Sequence, residues 1–388
     1  MQRDGRPYRI GISGSYGGLN LGDEAILEGI LGRIRATIDA EVTVFSRNPS
    51  DTEATHRVER VVGPRSLTRR EIAPEIRGLD LFILGGGGIL YDGEGETYLR
   101  EVNLAHELGV PVLLYAVSAG PLATSSTRRA VREALNVPGT AITVRDRLGL
   151  RLLEDVGVTQ DILLTADPAL LLEPAEFPEE ALRAEGVALD RPLVGFSVRE
   201  PGPAAPDLDP DEYYALLANA ADFIVERYDA EVVFVPMEKS DVQHSHGVVA
   251  HMQNSERAEI IRRRYSPRQI LGLMGRFEFA VGMRLHFLIF ATLRATPFTA
   301  LPYASKVAGL MEDLGLEIPP LASTGIGPLI ARIDRKWDER KEIRARIEPR
   351  RAELRTRAAR THDLVLSILE GRPGAAPADP GEPPPAPH

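Results

Sequence analysis

The feature that most constrains this chain is a repeated alternation of short apolar runs with amphipathic helical patterns. The apolar runs lie at residues 8–13, 41–46, 79–84, 110–117, 141–144 and 162–165, and again at 192–198, 231–235, 277–281 and 297–301. Strands that alternate with helices are typical of a parallel sheet built from right-handed β–α–β units. The alternation therefore predicts an α/β protein.

The two series of runs predict two domains. Residues 173–191, rich in Glu, Ala and Pro, are interpreted as the hinge region between them, whereas residues 47–78 show only a weak pattern. The predicted division is an N-terminal Rossmann-like domain at 1–175, a C-terminal one at 190–330, charged terminal helices at 331–370 that are interrupted at Pro349, and a disordered tail at 371–388. Polar loops at the strand ends of both domains predict that the two face each other across a cleft.

Composition excludes several classes of function. The net charge of −10 argues against a broad nucleic-acid surface, and the absence of cysteine excludes disulfides and thiolate zinc sites. The histidines at 244, 246 and 251 lack metal-ligand spacing, so no metal is predicted. No apolar run reaches the roughly 20 residues of a membrane helix. The expected compartment is the cytoplasm, with the membrane periphery as the alternative location.

A glycine-rich turn follows the first predicted strand. It spans residues 14–24 and contains Asn20, Gly22 and Asp23. One explanation of such a turn is purely structural: it caps the helix, and its acidic residues offset the helix dipole. Its density of glycine also allows backbone to approach a ligand closely, and we therefore predict that it takes part in a binding site.

A second glycine-rich segment, Gly85-Gly86-Gly87-Gly88, follows the apolar run at 79–84. It resembles a phosphate cradle but lacks the Lys-Ser/Thr of a P-loop. Four consecutive glycines cost backbone entropy, so substrate contact is favoured over a purely structural role.

Arginines directly follow two more of the predicted strands. Arg145 stands beside Asp146 after the run at 141–144, and Arg199 follows the run at 192–198. A local salt bridge and a contact to substrate are equally consistent with each of these positions.

Three further basic side chains lie beyond the last two predicted strands. Arg284 and His286 follow the run at 277–281, and Lys306 follows the run at 297–301. The chain holds only four lysines among its 46 basic residues, which favours a specific role for Lys306 over a solvated surface position. A core position is the alternative for His286. Residues two apart do not share a helix face, so we expect one of Arg284 and His286 to stand behind the other and favour His286 in the site.

Taken together, these motifs resemble the polysaccharide pyruvyltransferase family over most of residues 8–317. The resemblance rests on the order and spacing of Asn20-x-Gly22-Asp23-Glu24-Ala25, Leu84 to Gly88, Gly120-Pro121, Val144-Arg145-Asp146, Gly282-Met283-Arg284-Leu285-His286 and Pro302-Tyr303-x-x-Lys306. It implies a fold similar to the two-domain GT-B glycosyltransferases. It also implies phosphoenolpyruvate as donor, a sugar that is often lipid-linked as acceptor, and no separate cofactor.

The resemblance identifies Asp23, Arg145, His286 and Lys306 as the functional residues. Their side chains suit the chemistry of ketal formation. An imidazole can act as the general acid toward the donor, two cations can hold its phosphate and carboxylate, and a carboxylate can act as base toward a sugar hydroxyl. A nucleotide-sugar glycosyltransferase of the same architecture and a non-catalytic sugar- or phosphate-binding protein are the alternative functions.

Overall fold

The computed structural model describes residues 5–200, 209–301, 305–317 and 325–371. Within these residues the chain forms two parallel sheets, each flanked by helices. The motif residues Pro302 and Tyr303 and the tail beyond residue 371 lie outside the described residues. None of the helices in the described part is both long enough and apolar enough to cross a membrane.

The N-terminal sheet has seven strands in the order β3-β2-β1-β4-β5-β6-β7. The strands are β1 (Tyr8–Ser13), β2 (Ala40–Phe45), β3 (Arg60–Val62), β4 (Leu81–Leu90), β5 (Val112–Ala119), β6 (Ala141–Val144) and β7 (Ile162–Leu164). The helices that connect them are α1 (Leu21–Thr37), α2 (Pro49–Thr55), α3 (Arg69–Arg77), α4 (Gly95–Glu107), α5 (Ser125–Leu135) and α6 (Arg147–Val156). A short 3-10 helix, Pro168–Leu171, follows β7.

The C-terminal sheet has five strands in the order β10-β9-β8-β11-β12. After α7 (Glu179–Ala184), its elements are β8 (Leu193–Ser197), α8 (Pro210–Tyr228), β9 (Glu231–Phe234), α9 (Lys239–His251), β10 (Ala258–Ile260), α10 (Pro267–Met274), β11 (Phe277–Gly282), α11 (Leu285–Arg294), β12 (Phe298–Ala300) and α12 (Ser305–Leu314). Two terminal helices follow, α13 (Ile326–Asp338) and α14 (Arg340–Leu369).

Both sheets have the strand order of a Rossmann fold, so the predicted α/β class with two Rossmann-like domains is confirmed. In each sheet the order reverses next to its first strand, between β1 and β4 and between β8 and β11. Ligands of open parallel sheets bind outside the carboxyl ends of the strands at this switch point. The fold therefore predicts a ligand site at the turns after β1, β4, β8 and β11.

The two halves share one apolar core. A single cluster of buried side chains includes Ile26 of α1, Leu170 of the 3-10 helix, Phe287 of α11 and Val365 of α14. Helix α14 returns from the C-terminal sheet to the N-terminal one, where Thr37 Oγ1 lies 2.7 Å from Nε2 of His362. Packing across the boundary thus fixes the relation of the two switch points.

The structure corrects three details of the sequence interpretation. The weakly patterned residues 47–78 contain α2, β3 and α3. Helix α14 also continues through Pro349, which was predicted to interrupt it. Residues 345 and 349 are both exposed, so the carbonyl that loses its hydrogen-bond partner faces water.

The third correction concerns Gly85 to Gly88, which belong to strand β4 rather than to a loop. Gly85 pairs with Tyr115 of β5, and Gly88 pairs with Ser118. A Cβ at position 85 would lie 1.9 Å from the hydroxyl oxygen of the buried Tyr16, so glycine is required there for packing. The strand therefore extends to the edge of the site as bare backbone.

Candidate functional site

The candidate site lies where the first turns of α1 and α11 meet. Asn20 caps α1, because its side-chain oxygen accepts hydrogen bonds from the backbone N–H of Gly22 and Asp23. The same residue reaches the other half of the molecule, where its amide nitrogen donates to Glu238 Oε2 at 3.1 Å. Backbone adds a second link, from Leu21 N–H to Met237 O at 2.8 Å. Local capping and domain contact thus coincide at this turn.

His286 packs directly against Gly22. A Cβ at position 22 would lie 1.9 Å from Nδ1 of the imidazole, which is far inside van der Waals contact. Only glycine can therefore occupy this position with the ring where it is. The glycine predicted for close approach to a ligand makes its closest approach to a histidine of the opposite half.

Arg145, Asp167 and His286 form a buried series of charged and polar groups. Arg145 Nη1 donates to Asp167 Oδ2 at 2.6 Å, and Nε2 of His286 lies 3.5 Å from the same oxygen. Asp146, next to Arg145, instead caps α6 through a hydrogen bond from Gly149 N–H at 2.7 Å. The shorter bridge that Arg145 makes is therefore to Asp167, 22 residues away, while its Nε also lies 3.6 Å from Oδ2 of Asp146.

Asp23 is the second carboxylate of the site. Burial raises the pKa of Asp23, and the nearby charges of His286, Lys306 and Arg145 lower it without cancelling the rise. Lys306 stands in the first turn of α12, whose Gly309 approaches the side chain of Asp146 on α6. His286, Lys306 and Arg145, the other three residues predicted to be functional, therefore lie within electrostatic reach of Asp23. We call Asp23, Arg145, Asp167, His286 and Lys306 the central cluster.

The glycines of β4 border the central cluster. A Cβ at position 87 would lie 3.6 Å from Oδ1 of Asp23, and one at position 88 would lie 4.0 Å from Nη2 of Arg145. Gly87 has φ of +104°, a conformation that side chains rarely adopt. Gly86 packs against backbone carbonyls of β5. Gly87 and Gly88 thus lie beside the functional groups, and Gly86 supports them.

Arg284 occupies a separate buried ion cluster. Its Nε donates to Asp241 Oδ2 at 3.0 Å, and its Nη2 lies 2.5 Å from Glu238 Oε1. Arg199 lies near the same carboxylates, since burial raises the pKa of Glu238 but Arg284 and Arg199 lower it below its ordinary value. We call Arg199, Glu238, Asp241 and Arg284 the C-terminal ion cluster. Contact of Arg199 or Arg284 with substrate stays a prediction.

Sequence reasoning missed Asp167 and the two acidic partners of Arg284. Asp167 follows a short apolar run, as Arg145 and Arg199 do, so its position after β7 was the available signal. Glu238 and Asp241 begin α9, where an acidic residue is explained as well by the helix dipole. Only the fold shows that these carboxylates face arginines.

The central cluster can bind an anion and move a proton. Arg145 supplies a guanidinium, Lys306 an amine and His286 an imidazole, and Asp23 supplies a carboxylate whose pKa burial raises. Within the described residues no three His, Asp or Glu side chains are grouped as a metal site. The chemistry available from these side chains is general acid and base catalysis on an anionic substrate.

Comparison with known proteins relates the chain to polysaccharide biosynthesis. A family model described as polysaccharide pyruvyl transferase matches residues 20–305. The chain is also 21% identical over 396 residues to the amylovoran biosynthesis protein AmsJ of Erwinia amylovora, with 87% of this chain and 94% of AmsJ covered.

Among solved structures, similarity extends to the fold alone. The UDP-GlcNAc 2-epimerase of Neisseria meningitidis bound to UDP-GlcNAc matches with a TM-score of 0.64 at 9% identity, covering 94% of this chain and 100% of that chain. The MnaA–UDP structure from S. aureus also has a TM-score of 0.64, at 11% identity, covering 94% and 97% of the two chains. These neighbours confirm the expected likeness to the two-domain GT-B architecture.

Proposed function

The chain belongs to the polysaccharide pyruvyl transferase family, and we propose that it takes the pyruvyl group from phosphoenolpyruvate and attaches it as a ketal to a sugar of a cell-wall or exopolysaccharide acceptor. Inorganic phosphate is the second product. The observation that carries this proposal is the central cluster, in which the two halves meet. His286 of one half packs against Gly22, next to Asp23, and faces Asp167, the partner of Arg145. A lipid-linked acceptor, at the membrane periphery, is part of the same proposal.

The donor carries a carboxylate and a phosphate on one small carbon frame. Arg145 and Lys306 bind these two anionic groups. The guanidinium of Arg145 is already oriented by Asp167, so less entropy is lost when it binds an anion. Backbone at Gly87 and Gly88 allows the donor to approach without a side chain in the way.

The reaction needs two additions to C2 of the donor. His286 protonates the methylene carbon, and the first sugar hydroxyl adds to the cationic C2 while Asp23 takes its proton. The C–O bond to phosphate then breaks, with Arg145 and Lys306 stabilising the leaving group. The second hydroxyl adds to C2 and loses its proton. One methyl group is formed, and one net proton leaves with the phosphate.

The test is consumption of phosphoenolpyruvate with release of phosphate in the presence of saccharide acceptors, free or lipid-linked. Mass spectrometry of the acceptor should show the added pyruvate. A nucleotide-sugar glycosyltransferase would release a nucleotide instead, and a non-catalytic protein would bind without turnover.

We expect His286→Ala and Lys306→Ala each to abolish phosphate release and to leave the circular dichroism spectrum unchanged. Lys336→Ala is the matched control, because Lys336 pairs with Glu339 at 3.2 Å on α13, outside the central cluster. Substantial turnover by either of the first two variants would remove that residue from the mechanism.

A further inference from the structure

Asp167 is a buried carboxylate whose two oxygens are both engaged. The residue is 5% exposed. Its Oδ1 accepts a hydrogen bond from Ala169 N–H at 2.9 Å, and its Oδ2 accepts one from Arg145 Nη1 at 2.6 Å. The same Oδ2 faces Nε2 of His286 across 3.5 Å. The carboxylate is thus held in place by its own half while it faces a ring of the other half.

The segment that carries Asp167 is fixed from two sides. Helix α1 packs so closely on it that a Cβ at Gly29 would lie 2.3 Å from the carbonyl oxygen of Pro168. Arg357 of α14 donates to the carbonyl of Thr165 at 2.9 Å. Asp167 therefore belongs to the rigid frame of the molecule, and His286 is oriented against it.

Asp167 stays ionised at neutral pH. Burial alone would raise its pKa, but the charge of Arg145 and the imidazole of His286 lower the pKa well below the ordinary value. An ionised carboxylate opposite one ring nitrogen favours a proton on that nitrogen, because the contact it makes selects the tautomer of the imidazole.

We infer that Asp167 is a positioning residue that keeps a proton on Nε2 of His286, so that the proton given to the donor leaves from Nδ1. This inference rests on the proposed function. Gly22 packs against the ring at Nδ1, where a Cβ would lie 1.9 Å away, and Nδ1 is the ring nitrogen that Asp167 does not face. In the step, the Nδ1–H bond breaks and a C–H bond forms at the methylene carbon. The imidazolium becomes a neutral imidazole that retains its Nε2 proton, and Asp167 keeps its charge throughout.

Other charged groups surround this pair. Asp23 approaches from α1, Lys306 from α12, and Arg145 from the turn after β6. Among the described residues in contact with the ring, Asp167 is the carboxylate that faces Nε2. Because Asp167 and His286 come from different halves, the pair exists only when the halves are docked.

Asp167→Asn keeps the size of the side chain and removes its charge. A correctly positioned general acid contributes about 10²–10⁴-fold to the rate of a reaction. We therefore expect kcat to fall by about 100-fold or more, while KM for phosphoenolpyruvate changes only about threefold. The alkaline limb of the pH–rate profile should move to lower pH, since the protonated ring loses its facing charge. Asp167→Glu should restore part of kcat.

Asp80→Asn is the matched control, because Asp80 also holds an arginine (Arg6, at 2.9 Å) and a backbone N–H, but at the opposite, amino-terminal edge of the sheet. This variant should lose stability and keep the wild-type kcat and pH profile. An unchanged profile in Asp167→Asn, or an equal shift in Asp80→Asn, would overturn the inference.

A second measurement does not depend on turnover. Nitrogen-15 spectra of histidine-labelled protein, with the ring of His286 assigned from His286→Gln, report which nitrogen carries the proton. We expect Nε2–H in the neutral ring of the wild type and loss of this preference in Asp167→Asn. A neutral ring protonated at Nδ1 in the wild type would refute the inference, even if phosphoenolpyruvate proved not to be the donor.

Discussion

Gly22→Ala tests whether the two halves meet as the structure shows. The substitution adds one methyl group to the first turn of α1. That methyl would lie 1.9 Å from Nδ1 of His286 and 2.5 Å from Cγ of the same ring. The substitution adds no backbone strain, because Gly22 does not have a positive φ.

The size of the effect follows from the overlap. Ordinary contacts of a Cβ begin at 3.4 Å, so the ring or the domain that carries it must move by about 1.5 Å (3.4 minus 1.9). A displacement of about 1 Å in a catalytic group can cost about 100-fold in rate. We therefore expect phosphate release to fall at least about 100-fold.

Gly32→Ala is the control on the same helix, since a Cβ at position 32 meets nothing within 4 Å. Alanine in a helix interior is favoured over glycine by about 0.5–1 kcal/mol, so this variant should be slightly more stable and fully active. The assay is phosphate release, with thermal unfolding measured in parallel. If Gly22→Ala retained wild-type kcat, His286 could not occupy its position against α1 during turnover, and the central cluster would be refuted.

Two further predictions concern the carboxylates. Because burial raises the pKa of Asp23, its ionised form costs stability above that folded-state pKa, and the cost disappears as pH falls through it. Asp23→Asn should therefore abolish turnover but keep or raise Tm at pH 7, and a lowered Tm would contradict the assignment. Asp241 is 0% exposed and accepts a hydrogen bond from Arg284, so Asp241→Ala should lower the free energy of unfolding in urea by about 3–5 kcal/mol. The control Glu256→Ala, at an exposed position, should lower it by less than about 0.5 kcal/mol. Equal losses in the two variants would contradict a buried ion pair.

Much of the fold could be predicted because its signals are local. The strands around Tyr8, Phe82 and Phe279 are apolar runs bounded by glycine or polar residues, and periodicity separates them from helices. Short strands in polar surroundings gave weaker signals. Strand β3 (Arg60–Val62) has three residues and an exposed arginine, so nothing in its pattern distinguished it from a loop.

The site was predictable in part for the same reason. Asp23, Arg145, His286 and Lys306 each follow a strand end, and the carboxyl ends of parallel strands meet at one edge. What that rule does not specify is which side chains will face each other. Arg145 and Arg284 looked alike in sequence, yet one lies in the central cluster and the other pairs with Asp241, 43 residues away.

The sequence alone determined the class of fold and the strand-end turns that carry four of the residues in the central cluster, because periodicity and turn chemistry act between near neighbours in the chain. Only the tertiary structure decided that Asp167 would face His286, that Gly22 would receive the imidazole, and that Gly85 to Gly88 would extend a strand. Those outcomes depend on the docking of two separately wound sheets, and the contacts that dock them join residues far apart in sequence.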